Sequence, residues 1–174
     1  MVLCGIFIAL LSISAYIRLP IFGVPFTLQT LIVMLIGQFF CKKLCFITVG
    51  IYITLGTLGL PIFAGGGGLS YVLYPTYGYI LGFLLCSVII SGIRSKTGNS
   101  FKFRIIANLL GLTPVYIFGI AHYFLISNVY LKENLSLAYI LVFGFLIFVP
   151  FDILCAFFSA ILAKRVEKVS NLQQ

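Results

Sequence analysis

Long apolar runs separated by short polar stretches make up nearly the whole chain. Each run approaches or reaches the length, about 17–25 residues, that crosses a hydrocarbon core ~30 Å thick. The ten-residue alternation of a membrane barrel is not visible. The pattern predicts an all-α, polytopic membrane protein with a single domain over residues 1–174 and a bundle of six transmembrane helices. The predicted segments are 2–19, 25–40, 44–63, 79–93, 105–127 and 135 to about 164.

Composition agrees with a membrane location. The chain is 62% hydrophobic and only 8% charged, with a mean hydropathy of +1.23. A soluble domain would carry about 25% charged residues. The five cysteines are odd in number and lie in or beside apolar segments, which is typical of small buried side chains rather than of a disulfide framework.

The basic residues lie mainly on one side of the predicted bundle. With six spans, nine of the eleven basic residues fall on that side and only Arg18 and Lys132 on the other. The positive-inside rule then predicts that both termini are cytoplasmic. The same rule accounts for the net charge of +8 without nucleic acid, for which no motif is present. The nine residues are Lys42, Lys43, Arg94, Lys96, Lys102, Arg104, Lys164, Arg165 and Lys168.

A proline-containing stretch connects the first two segments. Pro20 and Pro25 disfavour helix in the residues before them, so a short ordered loop is expected here. A hydrophobic helix is predicted to begin at Pro25 and to carry Phe26, Thr27 and Gln29 in its first turns. The Thr27 and Gln29 side chains suit either of two roles: they cap the amides of the helix N-terminus, or they hold polar groups of a ligand.

A glycine-rich loop follows the third segment. Residues 64–68 read Ala-Gly-Gly-Gly-Gly, and tyrosines follow up to Tyr79. A phosphate-binding loop would need Gly-Lys-Ser/Thr after the glycines, so the chain is expected to carry no ATPase of its own. An uncharged, aromatic, glycine-rich loop between two spans favours a re-entrant cover over a cavity rather than a flexible connection.

Asp152 is the strongest candidate for a functional residue. The other two acids, Glu133 and Glu167, lie in a loop and a tail, whereas Asp152 lies within an apolar segment just after Pro150. A carboxylate inside a membrane costs several kcal/mol unless it faces a polar partner. No second carboxylate, Ser/His/Asp arrangement or metal-ligand set accompanies it. The sequence therefore predicts a binding protein rather than an enzyme, with no metal and no cofactor.

Two other segments carry candidate residues. In segment five, Tyr116 offers a polar tip near mid-span, and His122 is either a pocket residue or an interhelical donor. In segment one, Gly5, Ala9 and Ser12 fall on one face and would let another helix approach closely. That helix could belong to this chain or to another subunit.

Four stretches of the chain, in order, resemble the BioY family, the biotin-specific substrate-binding (S) components of energy-coupling factor (ECF) transporters. The similarity covers nearly the whole chain. The matching pieces are Val24-Pro-Phe-Thr-Leu-Gln-Thr30, Leu58-Gly-Leu-Pro-Ile-Phe-Ala-Gly-Gly66, Pro75-Thr76-x-Gly78-Tyr79 with Gly82-Phe83, and Pro150-x-Asp152.

The resemblance implies a six-helix bundle with an outward-facing vitamin pocket capped by the first and third loops. It implies biotin as the ligand, a membrane-embedded scaffold (T) subunit and two cytoplasmic ATPases as partners, and a multi-pass protein of a bacterial cell membrane. The scaffold would dock on Gly5, Ala9 and Ser12, and Asp152 would accept from the ureido N–H groups. The expected ligand-binding residues are Arg18, Phe26, Thr27, Gln29, Gly65, Tyr79, Tyr116, His122, Asp152 and Cys155.

Two positions depart from the family pattern. A lysine expected three residues after Asp152 is replaced by Cys155, and Tyr79 stands where some members carry a basic residue. One hypothesis is that Arg18 instead binds the carboxylate of biotin. Two alternatives remain open: the same fold bound to another small vitamin or sulfur-containing acid, and a standalone secondary transporter. A membrane enzyme of lipid metabolism would need clustered carboxylates, which three acids do not supply.

Overall fold

The chain is predominantly helical in the computed structural model, which describes residues 2–21, 24–98 and 100–171. The α-helices in the described residues are α1 (Val2–Tyr16), α2 (Gln29–Phe39), α3 (Lys42–Thr57), α4 (Tyr77–Thr97), α5 (Phe101–Leu125), α6 (Leu137–Leu141) and α7 (Val149–Asn171). Helix α5 continues as a π-helix over Ile126–Tyr130, and α6 leads to α7 through a second π-helix, Val142–Leu146.

The stretch between α1 and α2 contains two short antiparallel strands, β1 (Arg18–Ile21) and β2 (Val24–Thr27). The prediction of an ordered loop holds, but the predicted start of a helix at Pro25 is wrong, because α2 begins at Gln29. Pro20 lies opposite Pro25 in the register, and an isolated strand pair tolerates residues that lack an N–H. Phe22 and Gly23 of this stretch lie outside the described residues.

Within the described residues, three helical segments are long and apolar enough to cross a membrane: Tyr77–Thr97, Phe101–Tyr130 and Leu137–Glu167. Helices α1 and α2 are shorter apolar helices. At 1.5 Å per residue, α2 covers about 16 Å, or roughly half of a hydrocarbon core ~30 Å thick. Its first two residues, Gln29 and Thr30, are buried among the other elements.

Glycines bring α4 and α5 close together. A Cβ added at Gly82 would overlap the backbone of Val115, and one added at Gly78 would overlap Phe118 and His122. On α5, Gly119 makes room for the ring of Tyr79. Such close approach is how helices in lipid gain packing energy, since apolar side chains gain little by leaving the lipid.

A polar network joins the helices at the basic end of the molecule. Arg104, 2% exposed, donates to Glu167 at 2.6 Å and to the Gln38 side-chain oxygen at 2.8 Å. The Gln38 amide donates to Asn108 at 2.9 Å, and the Asn108 amide donates to the Ala156 carbonyl at 2.9 Å. Arg104 was expected in a surface loop. It lies instead inside α5, because Glu167 and Gln38 satisfy its guanidinium there.

The glycine-rich loop folds back onto α3. Phe63 is fully buried and occupies the space left by the missing side chain of Gly56. Gly66 and Gly68 have φ values of 120° and 104°, a region that favours glycine, and Gly68 N donates to the Gly56 carbonyl at 2.8 Å. A 3₁₀-helix over Leu69–Leu73 then leads to α4. The loop is thus a folded unit and not an open connection.

Candidate ligand-binding site

A cavity of about 60 Å³ lies where β2, α2 and the glycine-rich loop meet α4, α5 and α7. A single water needs only about 10–15 Å³ on this measure, so the cavity exceeds an ordinary packing defect. Mostly apolar walls with a few convergent polar groups are typical of small-molecule sites. The lining residues are Phe26, Thr27, Gln29, Thr30, Ala64, Tyr71, Thr76, Tyr79, Ile80, Phe83, Val115, Tyr116, Phe148 and Asp152.

Asp152 supplies the only carboxylate among these lining residues. It lies in the first turn of α7 and is 5% exposed. The Tyr116 hydroxyl donates to Asp152 Oδ2, and the Thr30 side chain also interacts with this carboxyl group. Within the part of the chain that the structure describes, Oδ1 has no donor at hydrogen-bonding distance and angle. A buried acceptor without a donor carries a desolvation cost of about 1–3 kcal/mol or more. Asp152 Oδ1 is therefore well suited to accept a hydrogen bond from a ligand N–H.

Gln29 is held on both sides of its amide. Its Oε1 accepts from the Thr27 hydroxyl at 3.1 Å, and its Nε2 donates to the Tyr52 hydroxyl at 2.7 Å. Tyr52 in turn donates to the Ile62 carbonyl at 2.9 Å. The N-cap of α2 is Leu28, with no side-chain cap bond, so the capping role for Thr27 and Gln29 is wrong. Both side chains line the cavity instead.

Aromatic rings form much of the remaining wall. Phe26 lies stacked near Phe148, with ring centroids 6.2 Å apart, and packs against Phe151 at 4.7 Å. The Tyr79 hydroxyl donates to the Gly144 carbonyl at 2.8 Å, which links α4 to the second π-helix. These contacts fix the rings in place, so the apolar part of the site is largely preformed.

The strand pair and the glycine-rich loop are joined over the cavity. Arg18 Nη1 donates to the Ala64 carbonyl at 2.6 Å, and the Tyr16 hydroxyl donates to the Pro61 carbonyl. Within the loop, Gly65 N donates to the Tyr71 hydroxyl at 3.3 Å. Since Ala64 and Tyr71 line the cavity, the loop covers it, as the sequence predicted.

The structure brings six of the ten expected binding residues into the lining: Phe26, Thr27, Gln29, Tyr79, Tyr116 and Asp152. The other four lie around it. Arg18 and Gly65 belong to the cover, and Cys155 is buried one turn beyond Asp152. His122 packs edge-on against Tyr77, with ring centroids 5.8 Å apart, and its Nε2 has no partner among the described residues.

Eight lining residues were not anticipated. Some had a usable signal: Phe148 lies four residues before Asp152 and so shares its helix face, and Thr30 and Val115 adjoin expected residues. Tyr71 and Thr76 come from the loop, whose path no periodicity reveals. The full set is Thr30, Ala64, Tyr71, Thr76, Ile80, Phe83, Val115 and Phe148.

The small-residue face of α1 points away from the rest of the chain. Gly5 and Ala9 are exposed, and a Cβ added at Gly5 would meet no atom within 4 Å. Ser12 is half-buried and donates to the Ile8 carbonyl at 2.8 Å. This face therefore packs little against the described part of the chain.

The described residues contain no group of three or more His, Cys, Asp or Glu side chains that could hold a metal ion. All five cysteines are free thiols. The site therefore offers one carboxylate, several hydroxyls, one amide and aromatic rings. This set can recognise a small, partly apolar molecule with N–H donors.

Comparison with known proteins places the chain among transporters. The BioY family profile matches residues 1–171. A probable biotin transporter BioY of Lysinibacillus sphaericus is 36% identical over 170 residues, which cover 97% of this chain and 87% of the relative. The biotin transporter BioY of Thermotoga maritima is 34% identical over 166 residues, which cover 95% of this chain and 94% of the relative.

A solved structure supports the fold. The crystal structure of the S component for biotin from an ECF-type ABC transporter aligns with a TM-score of 0.84 at 26% identity, covering 96% of this chain and 89% of that one. The resemblance inferred from sequence motifs is confirmed, as are the expectations of a multi-pass membrane protein and of a transport subunit rather than an enzyme. The chain belongs to the BioY family.

Proposed function

We propose that this chain is the substrate-binding and translocating subunit of an ECF importer and that its ligand is biotin. Membership of the BioY family and the likeness to a biotin S component support this proposal. The observation that carries it is the buried Asp152 carboxylate in a covered cavity, with one oxygen held by Tyr116 and the other without a donor among the described residues.

The proposed binding mode assigns different parts of biotin to different walls. Asp152 Oδ1 accepts from the ureido N–H groups, and a charge-assisted bond of this kind contributes about 1.5–3 kcal/mol. Gln29 and Thr27 are held nearby and supply further polar contacts. Phe26, Phe148 and Tyr79 enclose the thiophane ring and the start of the tail.

Arg18 is the proposed partner for the valerate carboxylate. One of its five N–H donors is used by the Ala64 carbonyl, which places the guanidinium at the edge of the cover. A guanidinium there can bind a carboxylate that emerges between the strands and the loop. This arrangement would compensate for the basic residues that Cys155 and Tyr79 replace.

The proposed topology has six crossing segments: α1, α2 with the strand pair, α3, α4, α5 with its π-helix, and α6–α7. Contacts at one end support it. Lys42 lies beside Gly92, Arg94 reaches the Phe40 carbonyl, and Arg104 meets Glu167, so the basic ends of the segments lie together. The positive-inside rule then puts this end and both termini in the cytoplasm and the cavity toward the outer face.

The proposed partners are a membrane-embedded T scaffold subunit and two cytoplasmic ATPases. No phosphate-binding motif occurs in the sequence, so ATP hydrolysis would have to come from another chain. The exposed face of α1 with Gly5 and Ala9, continued by Ser12, is the proposed surface for the scaffold. Small residues there would let a scaffold helix approach closely.

Equilibrium binding of biotin to the purified protein in detergent tests the ligand and its anchor together. Asp152→Asn keeps the shape of the side chain but loses the charge, and it should weaken binding by about 10–100-fold. Glu133→Gln is the matched control, because it removes a carboxylate from an exposed loop and should leave affinity unchanged. Saturable binding that survives Asp152→Asn would contradict the proposed anchor.

A related ligand is the second candidate, favoured by Cys155 in place of the expected lysine. The same fold would then bind another small vitamin or a sulfur-containing acid. Competition separates the two candidates: excess unlabelled biotin should displace a bound radiolabelled ligand fully if biotin is the substrate. No saturable biotin binding to a folded, monodisperse protein would reject biotin and transfer the assignment to this second class.

A further inference from the structure

A second, larger groove lies between helices α5 and α7 on the outer side of the bundle. This α5–α7 groove has a volume of about 660 Å³ and walls that are almost wholly apolar. It differs from the ligand cavity in opening to the exterior of the bundle, although Tyr116 borders both. The residues that line it are Leu109, Leu112, Thr113, Tyr116, Ile117, Ile120, Ala121, Leu141, Phe145, Val149 and Ile153.

A basic pocket of about 290 Å³ lies between the same two helices at the end where the cationic side chains collect. Phe101, Ile161, Lys164 and Arg165 line it. The ammonium group of Lys164 lies 5.8 Å from the centre of the Phe101 ring, which holds it against the start of α5. Glu167, the acid nearest along α7, is already bonded to Arg104.

The groove and the basic pocket lie on one continuous helical face. Phe101 of the pocket and Leu112 of the groove are eleven residues apart on α5, as are Lys164 and Ile153 on α7, so each pair shares a side of its helix. Lys164 and Arg165 are both exposed. A molecule that extends from the basic pocket along these helices therefore enters the groove.

The depth of the groove suits an acyl chain. If the hydrocarbon begins near Ile105, the first apolar residue after the cations of α5, Leu109 lies about 6 Å inside it. One leaflet is about 15 Å deep, half of a ~30 Å core. The first two turns of the groove thus lie at the depth of the middle and distal parts of a chain whose headgroup is at Lys164 and Arg165.

We propose that the basic pocket and the α5–α7 groove bind one anionic phospholipid, with the phosphate held by Lys164 and Arg165 and an acyl chain lying in the groove. Charge complementarity identifies the occupant, because the two exposed cations that line the pocket favour an anion, and the apolar groove along the same helices favours a hydrocarbon chain. Basic pockets between transmembrane helices bind anionic headgroups in this way.

The chain contains no tryptophan, so one introduced tryptophan reports on the lipid beside it without background. Leu109→Trp places the probe at the groove. Phe158→Trp is the matched control, since Phe158 is an exposed α7 residue at a similar distance from the basic end but does not line the groove. The full protein is placed in phosphatidylcholine–phosphatidylglycerol vesicles of fixed composition, in which one or the other lipid carries bromine on its acyl chain.

Leu109→Trp should be quenched preferentially by brominated phosphatidylglycerol, with an association at least about fivefold stronger than that of phosphatidylcholine. Phe158→Trp should show a ratio near one. In the Leu109→Trp background, Lys164→Gln/Arg165→Gln, which removes both cations that line the basic pocket, should lower the preference about fivefold or more. Lys42→Gln/Lys43→Gln, which removes the same charge at the α2–α3 connection, should leave it unchanged.

Three results would overturn the proposal. Equal quenching by both lipids at Leu109→Trp would mean that the groove contains ordinary bilayer lipid or another helix. An equal preference at Phe158→Trp would reflect only the general attraction of a chain with net charge +8. A preference that survives Lys164→Gln/Arg165→Gln would exclude the basic pocket as its cause. Biotin binding is measured on each variant, so loss of the fold is recognised separately.

Discussion

The Tyr52 hydroxyl accepts a hydrogen bond from the Gln29 side-chain amide at 2.7 Å and donates one to the Ile62 carbonyl at 2.9 Å. Tyr52 is fully buried on α3 and does not line the cavity, whereas Gln29 does. The hydroxyl thus connects the first turn of α2 to the beginning of the glycine-rich loop. Tyr52 acts on the site through Gln29 and is a positioning residue.

Tyr52→Phe should weaken biotin binding by about 3–10-fold, because the Gln29 amide would no longer be held in a single orientation before the ligand arrives. The ring and its edge contact with Phe63 at 5.3 Å remain, so the fold should be retained. Tyr130→Phe, at an exposed position, is the control and should have no effect. Affinity is measured by equilibrium binding in detergent.

A double-mutant cycle decides whether Tyr52 acts through Gln29. If it does, Gln29→Ala combined with Tyr52→Phe should weaken binding no more than Gln29→Ala alone, since the orientation of an absent amide cannot matter. Independent, additive losses would show that Tyr52 affects the site by another route.

Arg18→Ala should lower the affinity for biotin by about tenfold and the affinity for a carboxyl-blocked biotin amide much less. The reason is that a charge-assisted bond to the carboxylate contributes about 1.5–3 kcal/mol, whereas the bond to Ala64 contributes to both ligands equally. Arg18→Lys keeps the charge and should recover part of the loss. The measurement is a titration of both ligands against each variant.

Equal losses for biotin and the amide would assign Arg18 to the cover alone, through its bond to the Ala64 carbonyl. An unchanged affinity for both ligands would exclude it from either role.

The sequence predicted most of the polar residues that line the cavity but few of the apolar ones. Asp152 and Gln29 could be found because a carboxylate inside an apolar run and polar groups after two prolines stand out against lipid-facing residues. The predominantly helical, multi-pass character likewise follows from length and hydropathy, whereas the count of six spans stays a prediction. These features depend on the composition of single segments, which a sequence displays directly.

Contacts between segments could not be predicted from the sequence. Tyr52 is one tyrosine among ten, and only the packing of α3 against the loop puts its hydroxyl beside Gln29. Arg104 is predicted to lie in a loop, because the sequence does not show its contacts with Glu167 and Gln38 on other helices. The strands were missed because alternation over four residues is too short to distinguish from a loop.

Gly5→Leu/Ala9→Leu should prevent stable association with a coexpressed T scaffold while biotin binding to the isolated subunit stays within about twofold of normal. Two leucines would fill the exposed face of α1 and keep a partner helix at a distance. Among the described residues, no atom lies within 4 Å of a Cβ at Gly5, and Ala9 is exposed, so the fold of the subunit should tolerate them. Copurification on a tagged scaffold measures the effect. Ile13→Leu, on an exposed part of the same helix, is the control.

The close approach of α4 and α5 predicts that Gly82→Ala is destabilising. The new Cβ would lie 2.9 Å from the Pro114 carbonyl oxygen and overlap the Val115 backbone, which cannot move aside as a side chain could. Overpacking of this kind costs about 1–3 kcal/mol, which corresponds to a fall in Tm of roughly 3–10 °C for a chain of this size.

Gly5→Ala provides the matched comparison, because it is the same substitution in a helix where a Cβ meets no atom within 4 Å. Alanine has the higher helix propensity by up to about 1 kcal/mol, so Gly5→Ala should leave Tm unchanged or raise it slightly. The two variants are compared by thermal unfolding in detergent, with the loss of biotin binding as the readout. A Gly82→Ala protein as stable as Gly5→Ala would show that α4 and α5 do not depend on backbone contact at this crossing.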